Sequence, residues 1–194
     1  QKKSNNLHDL NSHIWDSWAD ENGSIGKAYG YQMGVKHKYK EGEFDMVDRV
    51  LFDLKNNPCS RRIMTNLYNF ADLHEMHLYP CAYSMTFNVS GNKLNAILNQ
   101  RSNDMVTANN WNVVQYSLLL IMFAKVSGLE PGELVHVIAD AHIYDRHVPI
   151  VEELIKREPY DAPKFILDKS ITDFYKFTPD SVHFEDYKYH EFTE

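Results

Sequence analysis

Cysteine is scarce in this chain, which has two among 194 residues, Cys59 and Cys81. Neither stands at a ligand spacing from a second cysteine or from a histidine cluster, so the sequence gives neither a disulfide framework nor a zinc site. We therefore expect a cytoplasmic protein without a bound metal. The net charge of −7 disfavours nucleic acid as a substrate, and any anionic ligand would need a local group of arginines.

Long apolar runs are also missing. The nearest candidate, residues 116–126, is shorter than the roughly eighteen residues that suggest a membrane span and contains Lys125. The hydrophobic fraction of 43% is nevertheless sufficient for a sizeable core, and we predict one domain over residues 1–194. Because the chain opens on QKKSNN and lacks an initiating methionine, we expect part of a longer protein, incomplete at both ends.

The spacing of apolar residues predicts both helices and strands. Helical spacing predicts amphipathic helices over residues 6–19 and 44–54, and a nearly all-apolar segment predicts a buried central helix over residues 113–126. The remaining predicted elements are strands over residues 62–67, 81–89, 93–100, 134–138 and 164–167 and a helix over residues 148–156. This pattern indicates an α+β fold around one large sheet.

Two motifs place arginines where a core does not need them. In CSRRIM, Arg61 and Arg62 enter a predicted strand in succession, so their side chains would point to opposite faces. In NQRSNDM, a predicted strand ends with Arg101, Ser102 and Asp104. A guanidinium and a hydroxyl at a strand end suit a phosphate, although solvated arginines and a polar loop are the alternative interpretations.

A third motif, DAHIYDRH, follows an apolar strand and contains two histidines. His142 and His147 are poorly spaced for one helical face, and no further ligand pattern accompanies them, so we do not predict a metal site.

The stretch HLYPCAYSM places Cys81 directly after a proline in an apolar and aromatic run. A free cysteine often packs as a small hydrophobic residue, which makes a buried, unreactive thiol one interpretation. A nucleophile is the other. The neighbouring residues alone do not decide between them.

Six stretches match one family in order and in approximate spacing, and they cover nearly the whole chain: IWDSWADENGSIGKAYGYQ, NPCSRRI, YPCAYS, NQRSND, NWNVVQYSLL and DAHIYDRH. In these stretches the chain resembles thymidylate synthase. The resemblance implies an α+β fold with a large twisted mixed sheet flanked by helices and a long buried central helix. It also implies a homodimer whose sheets pack back to back.

The implied reaction converts 2′-deoxyuridylate (dUMP) to thymidylate (dTMP), with 5,10-methylenetetrahydrofolate as carbon donor and reductant. The thiolate of Cys81 would add to C6 of the uracil ring. Because a free thiol has a pKa of ~8.5, a nearby cation must favour the thiolate, and Arg101 is the candidate. Tyr29 would assist removal of the C5 proton.

The resemblance also implies binding roles. The nucleotide would contact Arg61 and Arg62 of the partner subunit and Gln100, Arg101, Ser102, Asn112, His142 and Tyr144 of the same chain. The arginines and the serine would hold the phosphate, and the histidine and tyrosine the ribose hydroxyl. Folate would contact Asp104, Trp15 and Trp18, although the two tryptophans also fit a purely structural role in the core.

Asn112 bears most directly on substrate choice. Its amide offers one donor and one acceptor, which complement O4 and N3–H of uracil, whereas cytosine reverses both groups. A related deoxycytidylate hydroxymethylase carries aspartate at the matching position, so asparagine favours uracil as the base.

Three alanines depart from the family pattern, namely Ala82, Ala108 and Ala139. These departures are interpreted as a branch of the family. A truncated or diverged non-catalytic nucleotide-binding homologue and a deoxycytidylate hydroxymethylase-like enzyme are the alternative functions. A cysteine hydrolase with His142 as the base is less favoured, because no glycine-rich turn frames Cys81 as an oxyanion hole.

Overall fold

The computed structural model describes residues 3–10 and 12–191. The α-helices are α1 (Tyr29–Gly34), α2 (Met46–Asn56), α3 (Asn109–Val126) and α4 (Val148–Leu154). The strands are β1 (His37–Tyr39), β2 (Gly42–Phe44), β3 (Met64–Asn66), β4 (Ala82–Ser90), β5 (Lys93–Gln100), β6 (Asn103–Asp104), β7 (Glu130–Ile138), β8 (Ala141–His142), β9 (Lys164–Leu167) and β10 (Val182–Glu185). This mixture is the expected α+β class.

Two compact units follow each other along the chain, the first ending at His142 and the second beginning at Ile143. The first contains α1 to α3 and β1 to β8. The second contains α4 and the antiparallel pair of β9 and β10. A single domain over the whole chain stays a prediction.

The first unit contains a four-stranded mixed sheet in the order β3-β4-β5-β7. β3, β4 and β5 pair antiparallel, and Gly91 forms the β4–β5 turn with a φ of +62° that favours glycine. β5 and β7 pair in parallel because α3 carries the chain back between them. Beyond the end of β5, the short strands β6 and β8 also pair in parallel.

One face of this sheet forms the core with α3. Leu94, Ala96 and Leu98 alternate along β5 and are fully buried. Phe87 of β4 meets Phe123 of α3 edge to face, with ring centroids 5.4 Å apart. Burial of a side chain of this size contributes about 1.5–3 kcal/mol, so this contact stabilises the packing of the helix on the sheet.

The opposite face of the sheet keeps apolar side chains exposed. Met64, Thr86, Ile97 and Val135 are successive cross-strand neighbours in one row over β3, β4, β5 and β7. The three apolar members of the row are 41–49% exposed. We call this row the outer row.

α2 begins at a specific cap. The carboxylate of Asp45 accepts hydrogen bonds from the N–H groups of Val47, at 3.0 Å, and Asp48, at 2.9 Å. The same side chain is buried and forms an ion pair with Lys3. These bonds satisfy backbone donors that lack a partner within the helix, and they fix where α2 starts.

α3 is apolar on nearly every side, as predicted, and begins four residues earlier than expected. Tyr116, Leu120 and Phe123 are buried, whereas Trp111 and Val114 in its first half are exposed. Across residues 3–10 and 12–191, no helix combines the length and the apolarity that a membrane span requires.

The helix predicted over residues 6–19 is wrong. The segment instead forms two 3₁₀ helices, Leu7–Asp9 and Asp16–Trp18. The side chain of Asn6 accepts from the N–H of His8, and such local bonds compete with helical ones. Leu10 and Ile14 stay exposed, so burial of an apolar face does not stabilise a helix here.

Candidate active site

Cys81 lies at the entrance to β4, partly exposed and with a free thiol. Its backbone N–H donates to the hydroxyl oxygen of Tyr29, the first residue of α1, at 2.8 Å. Burial, followed by repulsion from Cys81, raises the pKa of Tyr29 to about 12. The phenol therefore stays protonated at neutral pH and keeps a proton to donate.

Arg101 follows β5 and binds the backbone just before Cys81. Its Nε donates to the carbonyl oxygen of Pro80 at 3.0 Å, and its Nη2 to that of Tyr79 at 2.9 Å. The N–H of Arg101 also donates to the carbonyl oxygen of Cys81 at 2.9 Å. The hairpin of β4 and β5 thus places a cation next to the loop that carries Cys81, and a cavity of about 340 Å³ opens against this arginine.

Asn112 is tied to the sheet by Gln100, the last residue of β5. Gln100 is 3% exposed, and its Nε2 donates to Oδ1 of Asn112 at 2.8 Å and to the carbonyl oxygen of Ser102 at 3.0 Å. His136 of β7 lies on the other side, with its Nε2 2.9 Å from Oε1 of Gln100. Three polar side chains therefore form a continuous chain at the end of the apolar core face.

Asp104 and His142 meet where β6 pairs with β8. One carboxylate oxygen of Asp104 accepts from the N–H groups of Val106 and Thr107, and the other accepts from the Thr107 hydroxyl at 2.6 Å. Nδ1 of His142 lies 3.4 Å from a carboxylate oxygen of Asp140. The pairing brings the motifs NQRSND and DAHIYDRH together, as a shared site requires.

The two predicted folate-binding tryptophans lie next to Tyr29. The ring centroids of Trp15 and Trp18 are 5.5 Å apart, and those of Trp15 and Tyr29 are 6.0 Å apart. Trp18 is 39% exposed, and its carbonyl oxygen lies 2.7 Å from Nδ1 of His77, which precedes Cys81 in the same loop.

Arg61 and Arg62 do not lie in a strand, so the prediction that they point to opposite faces of one is wrong. They lie in a turn before β3, which starts at Met64, and both are exposed. Ser60 builds this turn by accepting from the N–H of Arg62 at 3.2 Å. Neither guanidinium forms an ion pair with another residue that the structure describes.

Tyr144, which was predicted to hold the ribose hydroxyl, belongs to the second unit.

The sequence motifs did not identify His136 as a site residue. It lies within a predicted apolar strand, in period-two alternation with Leu134 and Ile138, and a polar residue at an inward position was the available signal. Among residues 3–10 and 12–191, no group of three or more histidine, cysteine, aspartate or glutamate side chains could hold a metal ion.

The sequence and the fold both match one group of known proteins. Residues 1–194 match the family model described as thymidylate synthase. Thymidylate synthases from Bacillus subtilis subsp. natto and Bacillus atrophaeus are each 44% identical to this chain over 97% of its length, and the chain covers 69% and 85% of them. The structure of a thermostable thymidylate synthase A from Bacillus subtilis superimposes with a TM-score of 0.94 at 41% identity, over 99% of this chain and 70% of that one. The chain therefore belongs to the thymidylate synthase family.

Proposed function

We propose that this chain methylates dUMP to dTMP with 5,10-methylenetetrahydrofolate and that Cys81 is the nucleophile. The observation that carries the proposal is the arrangement around Cys81, where Tyr29 contacts the N–H and Arg101 binds the two preceding carbonyl groups. Membership of the family supports the reaction and does not favour the alternatives of a non-catalytic homologue, a hydroxymethylase or a hydrolase.

Cys81 reacts as a thiolate. The guanidinium of Arg101 is anchored on the backbone carbonyl groups of residues 79 and 80, so its positive charge is held next to the loop that carries Cys81. Addition of sulfur to C6 forms a C–S bond and moves an electron pair to C5, which becomes nucleophilic. The same sulfur leaves when the product is released.

Tyr29 assists removal of the C5 proton. With a pKa of about 12 it is a neutral phenol at pH 7, so it acts as a hydrogen-bonding relay rather than as a phenolate base. Its bond to the N–H of Cys81 holds it next to the reacting ring.

The folate binds as a co-substrate near Trp15, Trp18 and Asp104. Bound 5,10-methylenetetrahydrofolate supplies the one-carbon unit and the hydride that reduces it to a methyl group. The tilted tryptophan pair beside Tyr29 suits a flat heterocycle. The carboxylate of Asp104, the last residue of β6, is the proposed acceptor for N–H donors of a pterin.

The nucleotide phosphate binds Arg101 and Ser102 together with Arg61 and Arg62 of the partner subunit. Two features support a shared site. Both turn arginines are exposed and outside ion pairs with described residues, and the outer row offers an apolar face for sheet-to-sheet packing in a homodimer. His142 and Tyr144 hold the ribose hydroxyl in this proposal.

Asn112 reads the base. Gln100 occupies one side of its Oδ1, and the amide retains an acceptor lone pair for N3–H and an N–H for O4 of uracil.

Both thiols of the chain are free, which supports a reducing, cytoplasmic location.

Formation of a covalent complex with both ligands tests the proposal. The protein is incubated with 5-fluoro-dUMP and 5,10-methylenetetrahydrofolate, and its intact mass is measured after denaturation. Because fluorine at C5 cannot be removed as a proton, we expect a mass increase equal to both ligands. Cys59→Ser should form the complex and Cys81→Ser should not. Folded wild-type protein that stays unmodified contradicts the proposal.

A further inference from the structure

A chain of hydrogen-bonded polar side chains connects β7 to α3 at the end of the core face. It runs from His136 to Gln100, at 2.9 Å, and from Gln100 to Asn112, at 2.8 Å. The parallel register of β5 and β7 places His136 opposite Leu98 and Gln100 opposite Ile138, so the two polar side chains are diagonal neighbours on the same face. Gln100, the middle member, is buried.

The direction of each bond in this chain is fixed by a backbone group. The carbonyl oxygen of Ser102 can only accept, so the group of Gln100 that faces it is Nε2. Oε1 of Gln100 therefore faces His136, and since this oxygen also only accepts, Nε2 of His136 must carry a proton. Burial lowers the pKa of His136, so its ring is neutral near pH 7 and has one N–H to give.

The same order of donor and acceptor continues to Asn112. Gln100 offers it a donor, so Oδ1 of Asn112 must face Gln100. A rotated Asn112 amide would set its own N–H₂ against the N–H₂ of Gln100. Rotation of this amide is the change that would let Asn112 match the donor and acceptor of cytosine.

We infer that His136 is a positioning residue for base selection: together with the Ser102 carbonyl, it locks the Gln100 amide and, through it, the uracil-reading orientation of Asn112. The inference rests on the proposed function, in which Asn112 contacts the base. His136 itself does not touch the substrate in this arrangement.

Equilibrium binding of dUMP and dCMP to the full chain tests the inference without requiring turnover. His136→Leu removes the donor and leaves Oε1 of Gln100 buried without it, so we expect dUMP binding to weaken about tenfold. The dCMP-to-dUMP ratio of dissociation constants should fall by a similar factor, because the Asn112 amide rotates more easily. His136→Gln, which retains an N–H donor, should keep both values, as should the exposed control His37→Leu.

The outcomes distinguish a failure of the proposed function from a failure of the proposed role of His136. Wild-type protein that binds dUMP no better than dCMP contradicts the proposed function. A wild-type preference that His136→Leu leaves unchanged, or a loss equal for both nucleotides, overturns only the role of His136. A second measurement needs no variant. In ¹⁵N-labelled wild-type protein, the long-range ¹H–¹⁵N pattern should show the Nε2–H tautomer of His136, and the Nδ1–H tautomer overturns the inference.

Discussion

At the scale of single residues, Asn112 meets two demands with one amide. Its Oδ1 accepts from Gln100, and the proposed uracil edge needs one donor and one acceptor from the same group. A carboxylate at position 112 would still accept the Gln100 bond. The exchange of asparagine for aspartate therefore changes what the base meets while leaving the protein contact in place.

Asn112→Asp should weaken discrimination against dCMP. A carboxylate that takes or shares a proton pairs with the cytosine edge and loses its fit to uracil, so the ratio of kcat/KM for dUMP over dCMP should fall at least about tenfold. The control is Asn109→Asp, which adds the same charge one turn earlier in α3, where the side chain bonds Asn103 instead. An unchanged ratio in Asn112→Asp means that Asn112 does not read the base.

Sequence motifs identified Cys81, Arg101 and Asn112 as candidates because each lies in a recognisable local pattern. They could not supply the partners of these residues. His136 and Gln100 are 36 positions apart and meet only through the register of two parallel strands. Arg101 binds carbonyl groups more than twenty residues earlier, through the β4–β5 hairpin.

At the scale of elements, α2 links a buried cap to the turn that carries two exposed arginines. Asp45 fixes its beginning, and the helix ends at Asn56, shortly before Pro58 and the turn. Because both ends are defined, the arginine turn starts from a fixed point of the first unit.

Asp45→Ala should lower the free energy of unfolding by about 1–2 kcal/mol, because two N–H groups of the first helical turn lose their acceptor. Asp45→Asn should retain most of this stability, since asparagine also caps helices, and should lose only the contribution of the ion pair with Lys3. Urea unfolding measures all three proteins. The control is Glu43→Ala, an exposed carboxylate in β2. Equal stability of Asp45→Ala and this control would show that the cap contributes nothing.

The sequence predicted an element well where the residues at the apolar positions of its pattern are also buried in the fold. β5 and β9 have the predicted bounds, and α2, α3, α4, β3, β4 and β7 overlap their predictions. The segment 6–19 has helical spacing without helical burial, and there polar side chains direct the backbone instead. Periodicity alone could not reveal that difference.

At the scale of the whole molecule, the outer row and the turn arginines both support the proposed partner subunit. Apolar residues such as Ile97 and Val135 are adjacent on one sheet face and exposed. Large exposed apolar surfaces often mark interfaces. An acidic protein gains affinity for a phosphate when a second subunit adds guanidinium groups to the site.

A mixture of two inactive variants should recover activity if the site is shared. Arg61→Ala with Arg62→Ala in one protein, and Cys81→Ala in the other, should each be nearly inactive as homodimers. Unfolding and refolding them together at equal amounts gives about half mixed dimers, each with one intact site, so we expect about one quarter of the wild-type activity.

The matched control mixes Cys81→Ala with Arg101→Ala, two changes in the same chain's half of the site, and should recover nothing. Mass spectrometry under native conditions verifies that mixed dimers form. If they form and the first mixture stays as inactive as its parents, Arg61 and Arg62 of the partner subunit do not serve the site.

The parallel pairing of β5 with β7 also sets an order of assembly. Gln100 meets His136 only after the chain has completed α3 and returned to the sheet. Contacts between positions this far apart form late, because closing a long loop costs entropy before the contact stabilises it. During synthesis, the hairpin bearing Cys81 and Arg101 leaves the ribosome before β7, and the edge of β5 stays open to incorrect strand pairing until β7 arrives. The groups that we propose to select the base are thus among the last parts of the first unit to become ordered.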